Sequence, residues 1–111
     1  MAKMTDAQIT EALRGVAEWG WAGEAIQRTF QFKDFVEAMK FVNRVAEQAE
    51  GEQHHPDILI RWNKVTLTLS THDASGITAK DFALAAKADE FAGQFAGVMP
   101  KPPGVKKGKK S

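Results

Sequence analysis

The chain has 111 residues, of which 43% are hydrophobic and 26% are charged, and this length and composition predict one soluble folded domain with its own core. It contains no cysteine, which excludes disulfide bonds and thiolate metal sites. The net charge of +1 is unevenly spread, because five of the 15 basic residues lie in residues 101–111, which contain no acidic residue, and ten basic residues remain against 14 acidic ones elsewhere.

This charge distribution separates a body, residues 1–97, from a tail, residues 98–111. The tail is rich in proline, glycine and lysine and has few apolar side chains to bury, which predicts a disordered segment. A lysine-rich end can bind nucleic acid, but the acidic body offers no matching basic surface, so nucleic-acid binding is not expected. The sequence shows neither a signal peptide nor an apolar stretch of membrane-spanning length, so a cytoplasmic protein without membrane contact is the expectation.

The first half of the chain predicts a helix, a strand and a second helix. Residues 5–18 begin with a capping-box pattern, TDAQ, and continue with apolar residues at helical spacing. The glycine-broken segment that follows leaves room for a short extra strand around residues 19–21. Residues 24–32 alternate as a strand does, although Arg28 falls on the apolar side, which the pattern does not explain. Residues 34–51 carry an apolar stripe spaced by three or four, and the terminal glycine can end this helix.

The second half of the chain predicts a hairpin and a third helix. Residues 57–62 and residues 65–71 both alternate between apolar and polar side chains, and Asn63-Lys64 between them predicts a two-residue turn. A second capping-box pattern, TAKD, starts a helix at Thr78. Helices packed on a mostly antiparallel sheet make an α+β domain, which is the predicted fold class.

The predicted turn also determines which residues of the hairpin face each other. Trp62 then stands opposite Val65, and Ile58 stands opposite Leu69. These apolar pairs share one face of the sheet, as a side that faces a core requires.

The same register, extended past the strands, brings the three histidines of the chain to one end of the sheet. It sets His55 opposite His72 and His54 opposite Asp73. Pro56 cannot donate a hydrogen bond to a neighbouring strand, so regular pairing is expected to loosen here and to open a mouth. This convergence predicts a functional site.

Two kinds of site remain open for the histidines. A weak zinc site could use His55 and His72 with Glu50 or Asp57, but no helical HExxH spacing is present. Adjacent residues on an extended strand also point to opposite faces, so His54 and His55 cannot easily share one ion. General acid–base chemistry suits histidine better, because its unperturbed pKa lies near physiological pH. The pattern therefore favours an acid–base site without a bound metal.

Seven residues of this region form the signature of a known family. They are an acidic residue, two histidines, a proline, an aromatic residue, a further histidine and an aspartate: Glu50, His54, His55, Pro56, Trp62, His72 and Asp81. With this signature, and with similar sequence over residues 5–96, the chain resembles the pterin-4a-carbinolamine dehydratases.

The resemblance implies a four-stranded antiparallel sheet with three helices packed on one face, in a homodimer or homotetramer. It implies a dehydratase that converts 4a-hydroxytetrahydropterin to quinonoid dihydropterin, in tetrahydropterin recycling for aromatic amino-acid hydroxylases, with no metal and no organic cofactor. The catalytic residues would be His54, His55 and His72. The residues expected to bind the pterin are Glu50, Pro56, Thr71, Asp73, Asp81 and Trp19.

The sequence allows more than one role for the two carboxylates of the signature. Glu50 and Asp81 could orient the histidines, or they could hold the pterin amide groups by charge-assisted hydrogen bonds. Asp81 also lies three residues after Thr78, where it could serve only to cap the third helix.

Partner binding without catalysis is the alternative function. The resemblance includes relatives that act as transcriptional coactivators or assembly factors. A member that has lost catalysis is expected to have lost histidines of the signature, whereas all three are present here. A second, moonlighting role beside catalysis stays open.

Overall fold

The computed structural model describes residues 2–95. Its four strands are β1 Gly20–Ala22, β2 Ala25–Gln31, β3 Asp57–Arg61 and β4 Lys64–Leu69. The helices are α1 Asp6–Leu13, α2 Phe35–Glu52 and α3 Ala79–Gln94, with a 3-10 turn at His72–Ala74. The predicted tail, residues 98–111, lies outside the described residues. Within residues 2–95, no helix combines the length and the apolar character needed to cross a membrane.

The four strands form one antiparallel sheet in the order β1-β2-β4-β3. One face of its two central strands is buried, and it carries Ile26, Phe30, Val65, Leu67 and Leu69. The opposite face is polar and exposed, with hydrogen bonds between cross-strand threonine and glutamine side chains. Burial on one face only is what helices packed on one side of a sheet require, and the α+β prediction is confirmed.

The core beneath the sheet contains a cluster of aromatic rings. Phe30 and Phe32 contact Phe41 of α2, with ring centroids 4.7 and 4.9 Å apart. Arg28, the residue that the strand pattern did not explain, lies over the Phe30 ring and donates to Asp89 of α3 at 2.8 Å. An arginine can cover apolar surface with its stem while its charged head is paired. Arg28 therefore occupies the apolar side because α3 provides a carboxylate there.

The helix starts predicted from capping patterns are confirmed. Thr5 and Thr78 each head a complete capping box, and Asp34 accepts from a first-turn amide of α2. A side-chain oxygen at each position satisfies a backbone N–H group that the helix itself leaves without a partner.

Two helix ends differ from the prediction. The first helix ends at Leu13 rather than near residue 18, because Gly15 weakens it and the chain continues in single turns closed by hydrogen bonds to the third preceding residue. The second helix runs through Gly51, and Gln53 ends it in the left-handed conformation with φ of 53°. The amide of the Gln53 side chain donates to a carbonyl of the last turn, which compensates for a residue that is not glycine.

The hairpin register is shifted by two residues from the predicted one. Ile58 faces Leu67, and Trp62 and Asn63 form the turn. A shift of an even number of residues leaves every side chain on its original face, so the alternation of the sequence could not distinguish the two registers. Asn63 decides between them, because its side-chain amide donates to the carbonyl of Phe32 and its own carbonyl accepts the Phe32 N–H, both at 2.8 Å.

The predicted oppositions of His55 to His72 and of His54 to Asp73 are therefore wrong. Pairing of β3 with β4 begins at Asp57, and the second histidine segment folds into the 3-10 turn instead of extending β4. Any contact between the two histidine segments must come from outside the hairpin.

Candidate active site

A buried pair of side chains, His54 and Asp81, forms the centre of the site. His54 follows the end of α2, where its backbone N–H donates to the carbonyl of Ala49. Its Nε2 lies 2.6 Å from Oδ1 of Asp81, which stands in the first turn of α3. Asp81 is fully buried and His54 is only 7% exposed. The pair joins the ends of two helices that the sequence separates by 27 residues.

The pairing determines what the two ring nitrogens of His54 can do. An ionised carboxylate only accepts hydrogen bonds, so the proton between the two groups belongs to Nε2 of His54. In the neutral ring Nδ1 then holds the lone pair. Among residues 2–95, no polar atom is hydrogen-bonded to Nδ1. His54 is thus a fixed imidazole with one nitrogen available for proton transfer.

The other oxygen of Asp81 is held by two threonines. Its Oδ2 accepts the hydroxyl of Thr71 at 2.9 Å and the backbone N–H of Thr78 at 2.9 Å. The hydroxyl oxygens of Thr71 and Thr78 are 2.6 Å apart. Asp81 therefore performs both roles that the sequence suggested, because one carboxylate completes the capping box of α3 and holds His54.

The second signature carboxylate holds the second histidine. Nε2 of His55 lies 2.9 Å from Oε1 of Glu50, and their side chains are 58% and 75% exposed. Side chains this exposed also hydrogen-bond to water, so the pair contributes little to stability. The two neighbouring histidines consequently differ in environment, since one is locked in the interior and the other can move at the surface.

The two segments expected to contact a pterin meet through Asp81. Thr71 binds the same carboxylate as His54, and His72 and Asp73 follow it directly in the exposed 3-10 turn. Pro56 is half-buried beside the first segment. His54 of the first segment and Thr71 of the second thus share one hydrogen-bond partner on α3, a contact that strand pairing did not predict.

Trp19 lies in the core and not on the surface. Its side chain is 4% exposed, its ring packs edge-on against Phe30, and its indole N–H donates to Asp89 at 2.9 Å. Asp89 lies eight residues beyond Asp81 on α3, or roughly 12 Å along the helix axis. Burial raises the pKa of Asp89 above its ordinary value of 3.8, because the cost of desolvation outweighs the hydrogen bonds from Trp19 and Arg28 and the charge of Arg28.

The histidine–carboxylate contacts of the site are separate pairs and do not form a cluster. Within the described part of the chain, no three or more His, Cys, Asp and Glu side chains are grouped as metal ligands would be. His54 and His55 each have one carboxylate partner.

A groove near the N-terminus does not coincide with the histidines. It has a volume of about 670 Å³ and is lined mainly by alanine and methionine side chains from the first helix and the segment before it. None of its lining residues belongs to the family signature. We assign the site from its chemistry, because the histidine–carboxylate pairs lie at His54 and His55 and not in this groove.

Sequence reasoning gave Thr78 a capping role and missed its contact with Thr71. The contact arises because Ser75 adopts the left-handed conformation and Thr71 forms a bridge with Gly76, so the chain reverses between the two threonines. The Ser-Gly pair is a turn signal, but it does not specify which side chains the turn brings together.

The fold and the site define a one-sheet α+β domain in which a buried histidine–aspartate pair joins two helix ends. The family model described as pterin 4 alpha carbinolamine dehydratase matches residues 2–91. The chain belongs to the pterin-4a-carbinolamine dehydratase family.

Individual relatives agree with this membership. A protein of Thermomicrobium roseum named "Putative pterin-4-alpha-carbinolamine dehydratase" is 54% identical over 92 residues, which cover 83% of this chain and 99% of that protein. A transcriptional coactivator/pterin dehydratase from Brucella melitensis superposes with a TM-score of 0.79 at 38% identity, covering 81% of this chain and 98% of its own. A pterin dehydratase-like protein described as a RuBisCO assembly factor in the alpha-carboxysome shares the fold, with a TM-score of 0.57 at 22% identity over 68% of this chain and 87% of its own.

Proposed function

We propose that this chain is a hydro-lyase that removes water from 4a-hydroxytetrahydropterin and forms quinonoid dihydropterin. The observation that carries the proposal is the His54–Asp81 pair, which fixes one imidazole and leaves its Nδ1 available for proton transfer. Family membership supports the substrate class.

The reaction requires two proton movements. The departing 4a-hydroxyl takes up a proton and leaves as water, while the lone pair of the neighbouring ring nitrogen forms the new C=N bond and that nitrogen loses its proton. In this proposal, His54 and His72 move the two protons, and the exposed His55 mainly binds the pterin. Positioned acid–base groups of this kind accelerate reactions by ~10²–10⁴-fold.

Charged groups near the exposed histidines supply the contacts for a pterin. Glu50 and Asp73 are exposed carboxylates that can accept hydrogen bonds from the amino and ring N–H groups of the substrate. Pro56 is half-buried and adds an apolar side chain next to His55. Thr71 already donates its proton to Asp81, so its contribution to binding is indirect. Trp19 receives no pterin contact in the proposal, since its ring is covered by the core.

The proposed role in the cell is recycling of tetrahydropterin in the cytoplasm, in support of aromatic amino-acid hydroxylases. The product would be reduced back to tetrahydropterin by a separate reductase. The chemistry itself requires neither a metal nor an organic cofactor, because the ring nitrogen expels the hydroxyl.

Self-association is part of the proposal. The edge strand β3 and the turn after it expose Leu59 and Trp62, at 56% and 69%. An exposed strand edge with apolar side chains tends to be covered by another chain. A homodimer or homotetramer is expected, and light scattering that gave the monomer mass of 12.2 kDa at micromolar concentration would contradict it.

A partner-binding role is the second candidate function. The Brucella relative is named both as a coactivator and as a dehydratase, and Phe35 and Val36 at the start of α2 are exposed apolar side chains that a partner could cover. This role is compatible with catalysis, because neither residue belongs to the histidine site.

One assay separates the candidate functions. Chemically generated 4a-hydroxytetrahydropterin is mixed with the full chain, and its dehydration is followed against the uncatalysed rate. Acceleration that survives chelator treatment and disappears in His54→Ala supports acid–base catalysis. Activity that is lost on chelation and restored by zinc would support the metal alternative, and no acceleration at all would leave the partner-binding role.

A further inference from the structure

A chain of two hydroxyl groups extends from the site to the start of α3, and the reaction proposed above does not use its far end. Thr78 is fully buried, and Thr71 is nearly so. Their hydroxyl oxygens are 2.6 Å apart, and that of Thr71 is 2.9 Å from Oδ2 of Asp81. Thr78 itself contacts neither His54 nor solvent.

The donors in this chain can be assigned from the acceptors. Thr71 has one hydroxyl proton, which it donates to Asp81, because an ionised carboxylate can only accept. The short bond between the threonines must then be donated by Thr78. The oxygen of Thr78 accepts the backbone N–H of Lys80 at 3.2 Å. Each group of this chain therefore donates to the next one, from the Lys80 N–H through the Thr78 and Thr71 hydroxyls to the Asp81 carboxylate.

This direction has a consequence for the carboxylate. Oδ2 of Asp81 receives two hydrogen bonds, from the Thr71 hydroxyl and the Thr78 backbone, which orient the carboxylate plane and leave Oδ1 for His54. Bonds of this kind reinforce one another in a chain shielded from water. The hydroxyl of Thr78 fixes Thr71, Thr71 fixes Asp81, and Asp81 fixes the imidazole.

We propose that Thr78 is a positioning residue for His54, in addition to being the cap of α3. It acts through Thr71 and Asp81 to keep the proton of His54 on Nε2 and the lone pair on Nδ1. Thr5 provides the comparison within the same chain. It heads the capping box of α1, but it is exposed and its hydroxyl donates to no other side chain among residues 2–95.

The test uses four variants of the full chain. We call the hydrogen bonds from Thr78 to Thr71 and from Thr71 to Asp81 the relay. Thr78→Val removes both the helix cap and the relay, whereas Thr78→Ser retains both. Thr71→Val removes the relay without touching a cap, and Thr5→Val removes only a cap. Each protein is labelled with ¹⁵N-histidine, and the tautomer of His54 is read from its nitrogen chemical shifts at a pH where the ring is neutral. His54→Gln identifies the His54 signals by their disappearance.

The proposal expects the Nε2–H tautomer in wild type, Thr78→Ser and Thr5→Val, and a mixture of tautomers in Thr78→Val and Thr71→Val. The kinetic arm rests on the proposed dehydratase function. There kcat should fall by about two- to tenfold in Thr78→Val, the range that one neutral hydrogen bond supports, and by at least as much in Thr71→Val, which loses a bond to a carboxylate, with KM nearly unchanged.

The outcomes separate the two proposals. An unchanged His54 tautomer in Thr71→Val, or equal loss in Thr5→Val and Thr78→Val, overturns the positioning role and leaves Thr78 as a cap. If wild type does not dehydrate the substrate, the function proposal fails while the tautomer measurement still decides the role of Thr78. If Thr78→Val does not fold, Thr78→Gly, which lacks the hydroxyl but is well tolerated at a helix start, supplies the contrast with Thr78→Ser.

Discussion

His54 and Asp81 are joined by a hydrogen bond of 2.6 Å, although 27 residues of sequence separate them. Both side chains are buried, and the bond ties His54, two residues beyond the end of α2, to the first turn of α3. A group that orients the candidate catalytic imidazole is thus also a structural link between two helices. Substitutions here should affect stability and chemistry together, so each measurement below needs a control that separates the two.

The histidines should differ in their kinetic roles. His54→Ala and His72→Ala are expected to lower kcat by ~10²–10⁴-fold with KM changed little, because they remove proton transfer. His55→Ala should instead raise KM by roughly tenfold, and His55→Gln should recover part of the binding, since glutamine retains hydrogen bonding. Steady-state kinetics on the four variants is the measurement. A collapse of kcat in His55→Gln at unchanged KM would make His55 a proton-transfer residue.

Asp81→Asn should weaken both the fold and the site. The amide cannot accept all three hydrogen bonds now received by the carboxylate, so at least one of the donors from His54, Thr71 and Thr78 loses its partner. A buried donor without an acceptor costs about 1–3 kcal/mol of unfolding free energy. Urea unfolding measures this loss, and Asp57→Asn, at an exposed carboxylate, is the matched control with a change near zero. Equal stability of the two variants would contradict the buried network.

The turn residue Trp62 should be replaceable with a gain in stability. Its φ of 55° lies in the left-handed region, which an aromatic residue rarely adopts, and 69% of its surface is exposed. Asparagine tolerates this conformation, so Trp62→Asn is expected to raise the unfolding free energy by about 0.5–1 kcal/mol. Arg61→Asn, in the adjoining strand, is the control and should not stabilise. Because the proposed self-association would cover Trp62, the comparison is made at a protein concentration where light scattering gives the monomer mass, and a loss of stability there would contradict the prediction.

Asp89 should give the fold a dependence on acid pH. Because its pKa is raised in the folded state, the folded protein holds this proton more tightly than the unfolded chain does. The resulting stabilisation is fully present below about pH 3.8, the ordinary value, and is lost as pH rises through the folded pKa. Urea unfolding of wild type and Asp89→Asn over this range is the measurement. The advantage of wild type over the variant should shrink as pH rises, and an advantage that grew would show that Arg28 and Trp19 lower the pKa instead.

The features that follow from neighbouring residues were predictable. The capping boxes at Thr5 and Thr78 depend on side chains three positions away, and the strand and helix faces follow from a local period of alternation. The signature of histidines and carboxylates also identified the two residues that hold them, although the register that set His55 opposite His72 and His54 opposite Asp73 was wrong. Each of these depends on residue type and spacing, which a sequence contains.

The sequence by itself therefore determined the element types, the buried faces and the candidate acid–base residues. The tertiary structure decided the hairpin register and the partners in the site. Registers that differ by two residues bury the same side chains, so only the contact of Asn63 with Phe32 could select between them. The pairing of His54 with Asp81 depends on how two helix ends meet, and that position results from packing of the whole core, which no local pattern encodes.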